Sequence, residues 1–303
     1  MKCFRIFITV SLLAIGLNAC DNDKIYEKEL YKQVIALVCS DDYNKFEDSQ
    51  SLGEEAIRYV AVSCGGTAPV ATDVRITLVE DEAKLLDYNW SMYDADQSMY
   101  AKRLSASHYS IKDYHILIPK GERAGKMEIT FHPDGLSPDT AYFLPLSIGA
   151  ASAYEINPKK QNVLYRVLIK NLYAEQLPSG YTEYRMNGYK NTSSIVFTKV
   201  VQPLTSDRVR ILVGDVPFEP SESLFASSAI VVEIQDNRSV RILPYKDITV
   251  TQIDDDPLYP NKFSIETDWD KTFKIFRIHY KYQINNGPEV EMREELKLEI
   301  SKE

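Results

Sequence analysis

Lys274-Ile-Phe-Arg-Ile-His-Tyr-Lys-Tyr282 alternates almost without a break. Phe276, Ile278, Tyr280 and Tyr282 fall on one face, with Lys274 as an edge exception, and Ile275, Arg277, His279 and Lys281 fall on the other. Side chains of a strand point to opposite faces in turn, so this period of two predicts a strand with one dry and one largely wet face. Asn285-Asn286-Gly287-Pro288 supplies a turn, and Glu289–Ile300 returns as its partner in a long hairpin.

The same texture spreads outward through the chain, with 20 Tyr, many Val and Ile, and short runs broken by Pro, Gly, Asn and Asp. Upstream of the hairpin, strands are predicted at Gly180–Asn187, Ser193–Val201, Arg208–Val213, Ala229–Ile234, Val240–Leu243, Thr249–Ile253 and Lys262–Glu266. Meandering strands in this number suggest a closed barrel or a second sandwich. In the first half, strands are predicted at Val34–Cys39, Ile57–Cys64, Asp73–Val79, Tyr114–Ile118, Lys126–Phe131, Tyr142–Ile148 and Val163–Ile169. Short strands separated by turn signals suit an immunoglobulin-like sandwich. Glu80–Arg103 interrupts the rhythm; its Ala83–Asp87 stretch reads as helical, and its tip holds Tyr88, Trp90, Tyr93 and Tyr100. Tyr173–Gly180, with Leu177-Pro-Ser-Gly180, reads as a linker. The expected division is a signal peptide over 1–19, a lipidated tether over 20–29, a β-sandwich over 30–172 and a β-barrel over 180–303.

The N-terminus fixes the compartment. A short basic start (Lys2, Arg5), an apolar run of 12 residues from Ile6 to Leu17, and Leu17-Asn-Ala-Cys20 describe a processed export signal. The run is too short to span a bilayer, which takes about 20 residues. Cys20 is expected to carry the lipid that anchors the protein to the membrane. Removing residues 1–19 leaves 33 basic against 44 acidic residues, a net charge of −11. No basic run offsets this, so nucleic acid is not an expected partner. An oxidising envelope permits a Cys39–Cys64 disulfide. If their strands formed a simple hairpin, however, the two would stand about seven residues or roughly 24 Å apart, beyond bridging reach. Two buried thiols are expected.

Catalytic signatures are sparse. The sequence has no G-x-S-x-G, H-E-x-x-H, phosphate loop or C-x-x-C, and His108, His115, His132 and His279 show no metal-ligand spacing. His115 and His279 sit in predicted strands and are read as structural. Asp254-Asp-Asp256 lacks the spacing of a calcium loop and is read as a solvated turn. No cofactor, metal or enzymatic activity is expected.

Leu104-Ser-Ala-Ser-His-Tyr-Ser-Ile111, Ile118-Pro-Lys-Gly-Glu122 and Gly135-Leu-Ser-Pro-Asp-Thr-Ala-Tyr-Phe-Leu-Pro-Leu-Ser-Ile148 resemble the N-terminal domain of unknown function of Bacteroidetes surface lipoproteins. That domain also precedes the barrel of some family 18 endo-β-N-acetylglucosaminidases. The resemblance covers roughly residues 30–150 and implies an immunoglobulin-like fold in a polysaccharide-utilisation system. Residues 180–300, through Thr272–Tyr282 and the late hairpin, look like the lipocalin- or calycin-like domain that accompanies it. Acidic residues after the cysteine, here Asp21-Asn-Asp23, resemble a surface-export tag in such lipoproteins; in enterobacteria the same Asp suggests retention at the inner membrane. The family's enzymes carry catalysis on a later (β/α)₈ barrel, so activity does not carry over. Within the motif, Pro138 presets a turn and Asp139 bonds back to the chain. Pro145 is expected at an edge or bulge.

The functional lead is aromatic. Trp90, with Tyr88, Tyr93, Asp94 and Gln97 around it, and Trp269 in Asp268-Trp-Asp270, are large rings outside strands with carboxylates and amides nearby. Such rings stack on sugar faces while polar neighbours bind hydroxyls. The other reading is that the rings plug a barrel end or domain junction. The expected function is non-catalytic glycan binding at the outer-membrane surface, beside a transporter or glycosidase partner. A protein-interaction subunit with no sugar site, and a barrel holding a small apolar ligand, are the alternatives.

Overall fold

The computed structural model describes residues 32–300, so Cys20, the export signal and the tether over 20–29 lie outside the described residues. An immunoglobulin-like sandwich is followed by a nearly closed antiparallel, lipocalin-like barrel. One sheet of the sandwich runs through Glu155–Ile156, Val34–Leu37, Ala56–Cys64, Ala124–Phe131 and Tyr109–Ser110. The other runs through Lys45–Ser51, Asn162–Lys170, Tyr142–Ala151, Val74–Glu80 and His115–Ile118. Their inward residues form one core, in which Val62, Ile76, Ile129, Phe131, Leu144, Leu146 and Tyr165 are buried. Each such side chain contributes about 1.5–3 kcal/mol by leaving water.

The polar strand Lys45–Ser51 was not legible as a strand. It pairs in parallel with Asn162–Lys170, from Lys45 opposite Leu164 to Ser51 opposite Lys170. As an edge strand it needs few apolar residues, and it uses its acids instead. Asp48 accepts from the Tyr165 hydroxyl at 2.9 Å and pairs with Arg58, and Glu47 pairs with Arg166. Because this strand belongs to the other sheet, Val34–Leu37 and Ala56–Cys64 do not form a simple hairpin. Cys64 lies opposite Ile35 and Val62 opposite Leu37, which puts Cys39 level with Val60, four residues from Cys64. Both cysteines remain thiols; Cys64 is buried as expected, but Cys39, just past the end of the first strand, is only half-buried.

Pro145 stands in an interior strand, not at an edge. Its carbonyl accepts from the Asp81 amide, so its missing N–H faces the same way, where strand Val74–Glu80 ends and a helix begins. No ladder bond is lost. That helix, α1 (Glu82–Tyr93), contains the predicted helical stretch. It lays Leu85 and Tyr88 over Phe143, Leu164 and Ala101, covering the outer face of the second sheet. Buried Asn89 bonds both the amide and the carbonyl of Ala101, at 2.9 Å each, which pins the returning leg of the insertion.

The barrel strands follow the order Val240–Pro244, Ala229–Ile234, Arg208–Leu212, Ser193–Thr205, Gly180–Lys190, Val290–Ile300, Lys271–Gln283 and Thr249–Gln252. Lys262–Asp268 pairs with Lys271–Gln283. The Ser239–Lys262 bridge and the Val240 amide on the Asn261 carbonyl draw the first strand towards the last. Tyr184, Val201, Phe263, Phe276, Ile278 and Tyr280 fill the interior. As expected, Phe276, Ile278, Tyr280 and Tyr282 form the dry face. The opposite face is drier than expected, since Ile275 and His279 are also buried. The segment after Thr249–Gln252 folds over it: Asn261 accepts from the His279 amide and donates to the Ile253 carbonyl.

A charged pair sits among these apolar residues. The Lys199 ammonium reaches both Glu294 oxygens and the Leu212 carbonyl at 2.7–2.8 Å, and the Tyr280 hydroxyl donates to Glu294 at 2.6 Å. Burial pushes the Lys199 pKa down and that of Tyr280 well up. Removing one member leaves the other uncompensated in the core. Lys199→Met and Glu294→Leu alone should each cost about 3–5 kcal/mol, and the double variant markedly less than their sum. Urea unfolding of the four proteins measures this. A second expectation concerns Glu266, whose pKa is lowered to about 2, first by its hydrogen bond from Arg277. Its stabilisation is therefore present above the unfolded value of about 4.3 and lost as pH falls towards 2. Glu266→Gln should flatten the acid limb of a melting-temperature profile over that window.

Candidate functional site

The two halves meet at the Ser137-Pro138-Asp139-Thr140 turn. The Ser137 hydroxyl accepts from the Asp139 amide at 3.2 Å, and the Thr140 amide reaches the Ser137 carbonyl, so the turn closes on itself. The Asp139 side chain does not bond back as expected. It crosses to the barrel, where the Arg210 guanidinium donates to it and Gln202 approaches at 3.3 Å. Pro138 offers its carbonyl to buried Gln176 at 2.9 Å and to the Tyr181 hydroxyl at 2.8 Å. The segment read as a linker is therefore itself ordered: Gln176 pairs with Tyr181 and Leu177 with Gly180 in a tight hairpin.

Around this contact lies a cleft of about 450 Å³, within the usual range for small-molecule sites. Asp139 and Thr140 line one side, and Tyr181, Glu222, Phe225, Tyr245 and Lys246 the other, with Ser98 of the insertion at the rim. Helix α2 (Glu222–Ser228) is started by Ser221, whose hydroxyl accepts from the Leu224 amide, and presents Phe225 inward. Arg210, 1% exposed, is clamped between the Phe225 and Tyr245 rings, 4.0 and 4.8 Å from their centroids. Its Nε and Nη2 both donate to Gln202, while Nη1 is buried without a protein partner. At the mouth Lys246 pairs with Glu222 at 3.1 Å, which raises the lysine pKa. Burial pushes the Tyr181 hydroxyl up as well. Every charge here is closed on a neighbour of opposite sign, leaving rings and hydroxyls to face a ligand.

The predicted residues are divided among three places. Trp90 is exposed on the outer face of α1, one turn from exposed Leu86. Tyr88, by contrast, is buried against Phe143, Tyr43 and Tyr93, and burial raises its pKa to about 12. Tyr88 and Tyr93 meet at 87° and Tyr93 and Tyr100 at 37°, so these rings do not form one flat platform. Asp94 ends the helix with φ 50°, and Gln97 opens the short turn whose next residue, Ser98, reaches the cleft. Trp269 stands alone at the tip of the hairpin from Lys262–Asp268 to Lys271–Gln283, 94% exposed. The cleft residues Tyr181, Glu222, Phe225, Tyr245 and Lys246 were not singled out by sequence; they come together only through the junction. Among the described residues no group of three His, Cys, Asp or Glu could hold a metal ion, and no helix is long and apolar enough to cross a membrane.

Residues 26–155 match the family model of an N-terminal domain, and residues 161–297 match that of a C-terminal domain. These matches agree with the resemblance carried by the His108 and Pro138 motifs and by Thr272–Tyr282. No curated protein matches the chain. A protein of unknown function from Bacteroides ovatus has a similar solved structure, with TM-score 0.64 and 15% identity over 91% of this chain and 93% of that one. A multidomain protein including DUF1735, also from Bacteroides ovatus, gives TM-score 0.62 and 11% identity over 88% and 95%. An auxiliary nutrient binding protein from Bacteroides thetaiotaomicron gives 0.59 and 13% over 86% and 94%. At such identities the likeness is one of fold.

Trp269 has φ 56° at the first position of its two-residue turn, a left-handed conformation that costs a bulky residue about 1–2 kcal/mol. Trp269→Gly should relieve that strain and raise the melting temperature by a few degrees. An unchanged or lower value in a thermal melt would count against strain at this turn.

Proposed function

We propose that this chain, which belongs to the two-domain family whose N- and C-terminal models it matches, is a non-catalytic glycan-binding lipoprotein of the outer-membrane surface. The observation that carries the reading is the junction cleft. Tyr181, Phe225 and Tyr245 give it ring faces, and Ser98, Ser137 and Thr140 give it hydroxyls. Sugars need both, because their C–H faces stack on rings while their hydroxyls exchange hydrogen bonds.

The non-catalytic part of the reading rests on how the acids are used. Asp139 is committed to Arg210 and Glu222 to Lys246. Each carboxylate is held by a cation rather than left free to act as acid or nucleophile on a sugar. Lipid on Cys20 would hold the captured chain close to a transporter or glycosidase of an uptake system. The similar fold of a nutrient-binding protein fits this role. Trp90 and Trp269, apart from the cleft, would offer stacking points to longer chains.

Affinity electrophoresis of the protein from residue 21 onward, in gels cast with neutral polysaccharides, tests the reading. Tyr245→Ala should weaken retention at least about tenfold. Trp90→Ala should weaken retention by the polymer while leaving short oligosaccharides bound as before. If Tyr245→Ala migrates as the parent does, the cleft is not the site. If Trp90→Ala does so, Trp90 is not a stacking point for the polymer.

A further inference from the structure

A second recessed surface lies on the outside of the barrel, and strand register builds it. Across four strands, Val196, Asn187, Glu295 and Arg277 stand side by side in one row. Ser194, Tyr189, Arg293 and His279 form the next row. Both rows point away from the barrel interior, since along the same strand Tyr184 and Met186 point inward and Gly188, between the two rows, takes the next inward position. Gly188 is required there, because a Cβ would lie 2.0 Å from the Arg293 carbonyl oxygen. The segment over His279 brings Leu258 and Tyr259 to the groove, which Asn191 and Thr192 of the hairpin tip also line. Two adjoining hollows of about 400 and 490 Å³ share Tyr189, Leu258 and Tyr259.

The segment is held in place rather than loose. Asp256 accepts from the Leu258 amide at 2.9 Å and from the Tyr259 amide at 3.2 Å. The same carboxylate is 3.1 Å from His279 and 3.3 Å from Arg293. The reading of residues 254–256 as a solvated turn therefore holds for exposed Asp254 and Asp255 but not for Asp256. His279 is structural, as expected, and its backbone amide and carbonyl tie Asn261 and Ile253 of this segment in place, while its Nδ1 faces Asp256 without a hydrogen bond.

Two features of the lining select a ligand class. The cations are already paired: Arg277 with Glu266 and Glu295, and Arg293 with Asp256 and Glu291. What remains on offer is the Tyr189 and Tyr259 rings, the apolar faces of Leu258 and Val196, and the uncharged groups of Asn187, Thr192 and Ser194. The net charge of −11 without residues 1–19 also disfavours anionic polymers. We infer that this groove is a second carbohydrate site, taking neutral pyranose rings against Tyr189 and Tyr259, independent of the junction cleft.

Affinity electrophoresis against amylopectin, xyloglucan, α-mannan and, as an anionic control, polygalacturonate separates the two sites. Leu258→Asp and Tyr189→Ala change exposed side chains and should leave the thermal melt close to that of the parent. Each should weaken retention by at least one neutral polysaccharide by about tenfold, and adding Tyr245→Ala should weaken it further. Retention of both single variants at the parent level, with Tyr245→Ala alone abolishing binding, would overturn the second site and spare the cleft. Loss on Leu258→Asp with Tyr245→Ala unaffected would do the reverse. Retention by polygalacturonate alone, or by none of the four polymers, would overturn the inference.

Discussion

A guanidinium with almost none of its surface in water needs a counter-charge close by, and for Arg210 that counter-charge belongs to the other half of the molecule. Asp139 sits on a turn of the sandwich, Arg210 on a strand of the barrel. Leaving Arg210 alone is costly, because a buried cation that loses its partner stays in an environment that cannot solvate it, whereas Asp139 is partly exposed. The Phe225 and Tyr245 rings complete the enclosure. Gln176 and Tyr181 fix the same turn through the Pro138 carbonyl. The cleft walls are thus positioned by contacts that also set how the two halves sit together. A ligand that touches Asp139 and Tyr245 at once would read that arrangement directly.

Much of the fold was legible because a strand's two faces are written locally. Phe276, Ile278, Tyr280 and Tyr282 announced their common burial through spacing alone. The failures have physical causes of their own. Lys45–Ser51 reads as polar because an edge strand that pairs on one side can stabilise itself through Asp48 and Glu47 rather than through apolar burial. Pro145 reads as an edge residue because a missing N–H usually costs a ladder bond; here the neighbouring strand stops in time. Ile275 and His279 read as wet because nothing in their own strand reports the segment that Asn261 ties across them.

The site was less legible than the fold for the same reason. Trp90 and Trp269 draw attention in the sequence because tryptophan is rare, and both stay exposed. The cleft draws on residues spread from Ser98 to Lys246, none unusual in its own neighbourhood. Their meeting depends on Arg210, a strand residue whose importance is invisible until its partner is known. The Ser137–Thr140 motif reads in the sequence as a turn. It is one, and the turn's purpose is to aim Asp139 outward.

Both recessed surfaces follow one electrostatic pattern. Their lysines and arginines are paired with acids already in the protein, so a ligand gains little by bringing charge of its own. A charged ligand would have to break such a pair or sit beside a closed one, and either way it would lose its hydration for weak return. A ligand of hydroxyls and C–H faces loses less water and finds both rings and hydrogen-bond groups waiting. Single sites of this kind hold sugars weakly, since much of the gain is spent on ordering a flexible chain. Two such sites on one chain, as proposed, would change that balance. Once the first is occupied, the second meets its segment of the same polymer at an effective concentration set by the tether between them, provided the polymer can span both. Clustering on a membrane would extend the same effect from one protein to its neighbours. Weak, neutral, repeated recognition of this proposed kind would therefore suit the capture of a polymer better than that of a small solute, and would let the chain be passed on.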